Sequence, residues 1–428
     1  MPPPRGYWSF YWPLGLTSTA LLVEKQVQNG VLARYPDATD ELATFALAQS
    51  SFHLVNAALI FVPQMIAVLG RSQQARRRCR TFVAVMGLAL ALPLGFMAFT
   101  AMGQRTLNGL LNIPVELAPQ VARYLQWLAP LVMVNAMRHY CTGVLVLGQR
   151  TGTVTLLNIG HMAVLTAVLL TGYRLEWGAL PTLALGTVIS NSLTLVAAAL
   201  AASRVGTPRQ VDTEPLAWRA MWSFFWPVAL TSLMFALSRP VLYAYVNLTT
   251  QAVATVAALR VAFDFAAFFQ NPVNQFRHVY ATFGATDPDG VRRFMFRVTG
   301  GLVVVMALFV FTPLSRALFG EILGIEGEVL QRATEAMAVL CLAPVVIALR
   351  NLNHGKMLVR RRTASMAVAA VLRVLMIGLV ARALYSAGLL DHRTASIALV
   401  LGFGMEAFIV HVAGVRHKAR STPGPRVK

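Results

Sequence analysis

Ser9-Phe10-Tyr11-Trp12-Pro13, close to the start of the chain, returns as Ser223-Phe224-Phe225-Trp226-Pro227. The spacing holds beyond the motif. Thr17-Ser18 falls on Thr231-Ser232, and Leu128-Ala129-Pro130 falls on Leu342-Ala343-Pro344. With a small slip in register, Arg138 meets Arg350, Gly143 meets Gly355 and Thr151 meets Thr363. A unit of roughly 210 residues is duplicated, which predicts an N-terminal lobe over 1–205 and a C-terminal lobe over 206–428. Duplicated apolar halves are the signature of a membrane transporter with its substrate site between the repeats.

Composition agrees. Of 428 residues, 57% are hydrophobic and only 13% charged, and the mean hydropathy is +0.60; ordinary soluble proteins carry about 25% charged residues. A stretch of about 20 apolar residues crosses a bilayer. Such stretches fall at 7–28, 43–69, 80–102, 120–147, 153–172, 178–202, 218–247, 252–282, 292–315, 330–358, 363–385 and 394–414. The expected fold is an all-α polytopic membrane protein of about twelve transmembrane helices in two pseudo-symmetric six-helix lobes. The first stretch recurs in the second copy and has no small-residue cleavage site, so it is expected to be a helix and not a signal peptide.

The net charge of +20 is explained by where it lies. About 22 Lys/Arg occupy alternate loops and the two tails, among them Arg71, Arg76, Arg77, Arg78, Arg80, Lys356, Arg360, Arg361, Arg362, Arg416, Lys418 and Arg420, against about 8 on the other side. The acids collect on that second side: Asp37, Asp40, Glu41, Glu321, Glu326 and Glu328. By the positive-inside rule both termini are cytoplasmic, and an even helix count requires the same. Contact with membrane lipids follows from this charge, and no nucleic-acid partner is needed to account for it. Cys79, Cys141 and Cys341 have no metal-type spacing and read as small buried residues.

A second set of charges sits at membrane depth. Lys25, Arg138, Arg239, Arg260, Arg277, Arg350 and Arg373 stand against Glu24, Asp264 and Glu406. A charge at the bilayer centre costs about 3 kcal/mol even on the lenient scale, so these residues should face the protein interior or a water-filled cavity. Cations exceed anions, and pairing cannot neutralise the excess. The repeat matches Lys25 with Arg239, Arg138 with Arg350, and His161 with Arg373, which points to a cationic cleft between the lobes. Arg239, Arg350, Arg138 and Arg373, with Lys25, are the candidate substrate-binding cations. Glu24, Asp264, Glu406 and Arg260 form the coupling or ion-pair set. Arg260 and Asp264 lie four apart on one helix face, Glu406 is expected to pair with Arg373, Arg277 to snorkel toward the cytoplasm, and His161 to be a satisfied core histidine. Tyr7, Trp8, Tyr11 and Trp12, with Trp218, Trp222 and Trp226, read as interfacial anchors.

Enzyme motifs are missing: there is no P-loop, nucleophile elbow, zinc-spaced histidine pair or dinucleotide fingerprint. No catalytic residue, cofactor or metal is expected, and transport cannot be driven by ATP on this chain.

The chain resembles the progressive ankylosis (ANKH) family, within the multidrug and toxic-compound extrusion (MATE) and lipid-flippase superfamily. The resemblance is carried by Trp12-Pro13-Leu14-Gly15, Glu24 with Gly30, Phe225-Trp226-Pro227 and Ser238-Arg239-Pro240. It continues through Arg277-His278-Val279-Tyr280, Arg350 with Gly355, Val371-Leu372-Arg373 and Glu406. It implies two six-helix lobes in a V shape and export of organic anions such as pyrophosphate, nucleotides or citrate-like polycarboxylates. Lys25 departs from the uncharged residue of animal members, and their long acidic tail is replaced here by a short basic one. Usage is Arg-heavy, with Lys only at 25, 356, 418 and 428, which points to a GC-rich bacterium and an inner (plasma) membrane.

The expected function is secondary transport of a small anionic substrate by alternating access, with H+ or Na+ as the ions that Glu24 and Asp264 would couple. Two rivals stay open: a MATE-type multidrug exporter, which would want carboxylates to dominate, and a flippase for a lipid-linked anionic precursor, which a cationic cleft also suits. A membrane scaffold is disfavoured by the cost of buried cations.

Overall fold

The computed structural model describes all residues except 1–5, 21, 71, 149, 207–215, 285, 360–363 and 422–428. Of the positions singled out above, Arg71, Arg360, Arg361, Arg362 and Thr363 lie outside the described residues. Every regular element among the described residues is helical. In chain order these are α1 (Tyr7–Ala20), α2 (Val23–Leu32), α3 (Ala38–Asn56), α4 (Val62–Leu69), α5 (Gln73–Phe99), α6 (Ala101–Leu111), α7 (Ala118–Leu147), α8 (Thr151–Arg174) and α9 (Ala179–Ser203). The second half runs α10 (Trp218–Val246), α11 (Ala252–Asn274), α12 (Phe276–Phe283), α13 (Pro288–Phe311), α14 (Leu314–Arg316), α15 (Gly327–Leu340), α16 (Ala343–Val359), α17 (Ala364–Ser386) and α18 (His392–Ser421).

Among the described residues eight helices are long and apolar enough to cross a membrane, and α15 with α16, bent by 40° at a short break, adds a ninth. The expected spans at 120–147 and 218–247 are the single helices α7 and α10, of 30 and 29 residues. Gln126, Asn135, Arg138 and His139 dilute the apolar character of α7. The first expected span is two helices: α1 ends at Ala20 and α2 starts at Val23. In α2, Glu24, Lys25, Gln26, Gln28 and Asn29 crowd into one short element, a composition tolerable at membrane depth only inside protein.

Proline and glycine place the breaks. In the first copy a 3-10 turn (Ala57–Phe61) separates α3 from α4, with Pro63 in the first turn of α4. In the second, Pro272 sits at the end of α11, three residues before the junction with α12. Proline has no N–H and crowds the preceding turn, so a helix bends or ends there. Pro130 stays inside an unbroken α7, whereas its match Pro344 follows the break between α15 and α16. Gly143 and Gly355, matched by the repeat, serve the same contact in each copy. A Cβ on Gly143 would stand 2.6 Å from Ile66 of α4, and one on Gly355 would stand 2.5 Å from Tyr280 of α12. The fourth helix of each copy therefore approaches the inner half of the broken second helix as closely as backbone allows. Helix ends are capped in the ordinary way: Ser72, Thr100 and Asp287 accept from the backbone amides of Ala75, Gly103 and Gly290.

The chain divides into two compact units: 31–247, and 1–30 together with 248–428. These differ from the lobes expected at 1–205 and 206–428 in one respect. The first helices α1 and most of α2 belong with the second half of the chain, and α10 belongs with the first half. Aromatic packing explains this membership. Tyr11 packs against Phe276 at a tilt and meets Phe294 edge to face, and Phe82 of α5 packs on Trp218, Trp222 and Phe225 of α10. Tyr11 is thus a core residue and not the interfacial anchor expected of it; Trp8, Trp12, Trp218, Trp222 and Trp226 are exposed as anchors should be.

Candidate functional site: two charged clusters along one helix

The unit formed by 1–30 and 248–428 holds two clusters of buried charge. The first is built by α2 and α11. Lys25 Nζ lies 3.3 Å from Asp264 Oδ1, and Arg260 Nε donates to Asn29 Oδ1 at 2.8 Å. Residues 25 and 29 are one turn apart on α2, as 260 and 264 are on α11. Two rungs form because the helices run antiparallel and present matching faces. Asp264, Arg260 and Asn29 are buried. Glu24, half-buried beside Lys25, stands on the same short helix.

The second cluster gathers at the α11–α12 junction. The last carbonyls of a helix lack intrahelical partners; Asn351 of α16 donates its Nδ2 to Val273 O at 3.0 Å and to Asn274 Oδ1 at 3.2 Å, which secures the broken end of α11. Arg350, its neighbour, donates Nη2 to the same Asn274 Oδ1 at 2.5 Å and places Nη1 3.4 Å from Glu406 Oε2. Arg373 of α17 reaches that oxygen at 2.5 Å. It can do so because α18 carries Gly402 at the crossing, where a Cβ would stand 2.4 Å from Ile377 and 3.3 Å from Arg373 Cγ. Phe403 lies beneath both guanidiniums, 5.3 Å from Arg350 Cζ and 5.4 Å from Arg373 Cζ, in the geometry of a cation–π contact. His354, one turn beyond Arg350, puts Nε2 3.5 Å from Glu406 Oε1, a contact of charge range and too long for a good hydrogen bond.

Burial is nearly complete. Arg373 is 1% exposed, Glu406 2%, and Arg350 and His354 6% each. Such charges persist only when paired. Two guanidiniums share one carboxylate, which leaves a cation over, and Arg277 on α12 lies within electrostatic reach of Arg350 and His354. Asp264 and Asn274 are ten residues apart on α11, so the two clusters stand at two depths about 15 Å apart along one helix.

Of the residues expected from sequence, Arg350, Arg373 and Glu406 come together here, with the Arg373–Glu406 pair formed. Lys25, Asp264 and Arg260 come together in the first cluster. Arg138 and Arg239 are half-buried on α7 and α10 of the other unit. His161 is buried there too, its Nδ1 3.3 Å from Thr194 Oγ1, as a core histidine should be. Each repeat-matched pair thus has one member in each unit. Sequence reasoning overlooked His354, Asn274, Asn351 and Phe403. His354 alone had a signal, its spacing of one helical turn from Arg350; the others are ordinary residues until the break in α11 brings them together.

The fold is the one seen in MATE-type transporters and in a lipid flippase. It is similar to a multidrug-resistance MATE transporter of the MOP superfamily in its inward-facing conformation (TM-score 0.74, 12% identity, 95% of this chain and 98% of that one). It is also similar to the lipid II flippase MurJ in an inward closed conformation (TM-score 0.72, 12% identity, 94% and 87%). A third relative in fold is a MOP superfamily transporter from Pyrococcus furiosus, described as having a binding pocket of reverse polarity that suggests a different function (TM-score 0.58, 15% identity, 96% and 95%). The sequence pattern of the progressive ankylosis protein family matches residues 3–257, more than half of the chain. The chain belongs to that family.

Proposed function

We propose that this protein is a secondary transporter that exports small organic or phosphate-containing anions by alternating access, from the inner membrane and with both termini cytoplasmic. The observation that carries this reading is the buried cation excess around Glu406, where Arg350, Arg373 and His354 converge on one carboxylate and Arg277 lies within electrostatic reach of Arg350 and His354. A substrate anion would meet charge-assisted hydrogen bonds there, the strongest kind available to a side chain. A guanidinium stays charged in any protein environment, so the site does not lose its sign on desolvation. Lys25 and Arg260, set against Asp264 and Glu24, add a second pair of cations one helix segment away. Arg138 and Arg239 are proposed as further substrate-binding cations. Glu24 and Asp264 are the acids through which H+ or Na+ would be coupled.

A specific observation favours one second reading. The likeness to a lipid II flippase covers 94% of this chain, and a pyrophosphate head group on a lipid would suit the same cations. A MATE-type exporter of organic cations fits the fold equally and the charge poorly. Proteoliposome uptake of labelled pyrophosphate, ATP and citrate, with an organic cation dye alongside, separates these. Anion flux abolished by Arg350→Ala supports the proposal; dye flux without anion flux overturns it in favour of the multidrug class. Translocation of a fluorescent lipid pyrophosphate with no flux of free anions assigns the flippase.

A further inference from the structure

We propose that Glu406 is a resident anion that sets the charge of the ligand accepted beside it. This rests on the anion reading above and adds a rule for which anions are taken.

The carboxylate is shared unequally. Glu406 Oε2 stands 2.5 Å from Arg373 and 3.4 Å from Arg350. The short bond ties Glu406 to Arg373, and the long one leaves Arg350 only half committed. Arg350 is nevertheless held in place, because Asn274 fixes Nη2 at 2.5 Å. Its Nε has no hydrogen-bond partner although the residue is nine-tenths buried. His354 Nε2, equally buried, also has no hydrogen-bond partner. The Nε of Arg277 is a third buried donor in the same condition. Buried donors without acceptors are costly; those of Arg350 and His354 flank Glu406, with Arg277 within electrostatic reach of both, and the oxygens of a phosphate or carboxylate entering there would satisfy them. Such a group takes Arg350 from Glu406, while Arg373 keeps Glu406 in the protein.

Charge then decides what fits. With the imidazole uncharged, three guanidiniums less one carboxylate leave two positive charges, and a dianion brings the cluster to neutrality. Without the carboxylate a trianion does so. Glu406 therefore acts as a specificity-determining residue through the arginines it neutralises. A carboxylate present only to brace α17 against α18 would have no effect on the ligand's preferred charge.

The test is calorimetric titration of the purified full-length protein in detergent with acetate, succinate and tricarballylate, at constant ionic strength and neutral pH. Wild type is expected to bind succinate most tightly. Glu406→Gln should tighten tricarballylate by about tenfold, equivalent to about 1.4 kcal/mol, and place it ahead of succinate, whereas Glu406→Asp should keep the wild-type order. An unchanged order in Glu406→Gln, or uniformly weaker binding, overturns the inference and leaves the anion reading standing. Should Glu406→Gln fail to fold, Arg350→Gln keeps the Arg373–Glu406 pair intact; loss of succinate binding supports the proposal, and undiminished binding overturns it. Wild type that binds none of the three anions but does bind an organic cation dye removes the anion reading itself.

Discussion

Arg350 and Arg373 illustrate how two identical side chains on one carboxylate divide their duties. Arg373, almost wholly buried and bonded at 2.5 Å, is the structural member. Its replacement by alanine leaves Glu406 facing a cavity with only the long contacts to Arg350 and His354, and breaking a buried pair in this way costs about 3–5 kcal/mol. The expected outcome is a large drop in thermal unfolding temperature of the detergent-solubilised protein. Arg350→Ala should cost distinctly less stability, because Glu406 keeps its short bond, while abolishing anion flux. Equal stability losses for the two variants would contradict this division.

Asp287, outside the membrane-spanning helices, gives a pH prediction. The Tyr7 hydroxyl and the Gly290 amide bond to its carboxylate and hold its pKa below the ordinary value. A depressed carboxylate stabilises the fold above its unfolded-state pKa, and that contribution is lost as pH falls through the folded-state value. Asp287→Asn should therefore flatten the acid limb of a stability–pH curve while leaving the neutral region little changed in shape.

At the scale of elements, the glycines at the fourth helix carry the clearest expectation. Gly355→Ala would place a methyl group 2.5 Å from Tyr280 Cβ, and Gly143→Ala one 2.6 Å from Ile66. Overpacking of this kind costs about 1–3 kcal/mol, and because α12 and α16 carry Arg277 and Arg350, the first variant should also weaken anion binding. Thermal unfolding paired with succinate titration checks both effects; a stable Gly355→Ala protein with normal binding would show that the contact can relax. The repeat alone made these glycines legible, since Gly143 matched Gly355 before any contact was known. The membrane-depth charges were legible for the same reason that they are expensive. What sequence could not give was the company they keep. Asn274 became a ligand of Arg350 only because α11 ends there, and Pro272 signals an end without saying what will gather at it. Tyr11 read as an interfacial aromatic because its neighbours Trp8 and Trp12 are; one turn of the helix separates a lipid-facing ring from a core ring, and local composition does not resolve that.

For the molecule as a whole, the duplication divides the sequence at 205/206, whereas the compact units group α1 and most of α2 with the second half and α10 with the first. Repeats report ancestry, whereas packing reports which apolar faces meet, and here Tyr11 and Phe225 find their partners in the opposite half of the sequence. An experiment follows directly. The fragment 1–205 lacks α10 and carries α1 and α2 without the residues they pack on, and 206–428 has the converse defect. Each expressed alone is expected to be recovered misfolded or degraded. Co-expression of the two should restore a complex that co-purifies and is monodisperse by size exclusion in detergent. Independent folding of either fragment would contradict the observed membership of α1 and α10.

The same exchange bears on how the chain is made. The first helices leave the ribosome early, yet the residues that neutralise and cover Lys25 and Asn29 are Asp264 and Arg260, translated more than two hundred residues later. Until α11 is made, α2 stands without the side chains that meet Lys25 and Asn29 in the finished unit. Settling of α2 therefore waits on α11, made past the middle of the chain, so a late helix decides whether an early one ever settles.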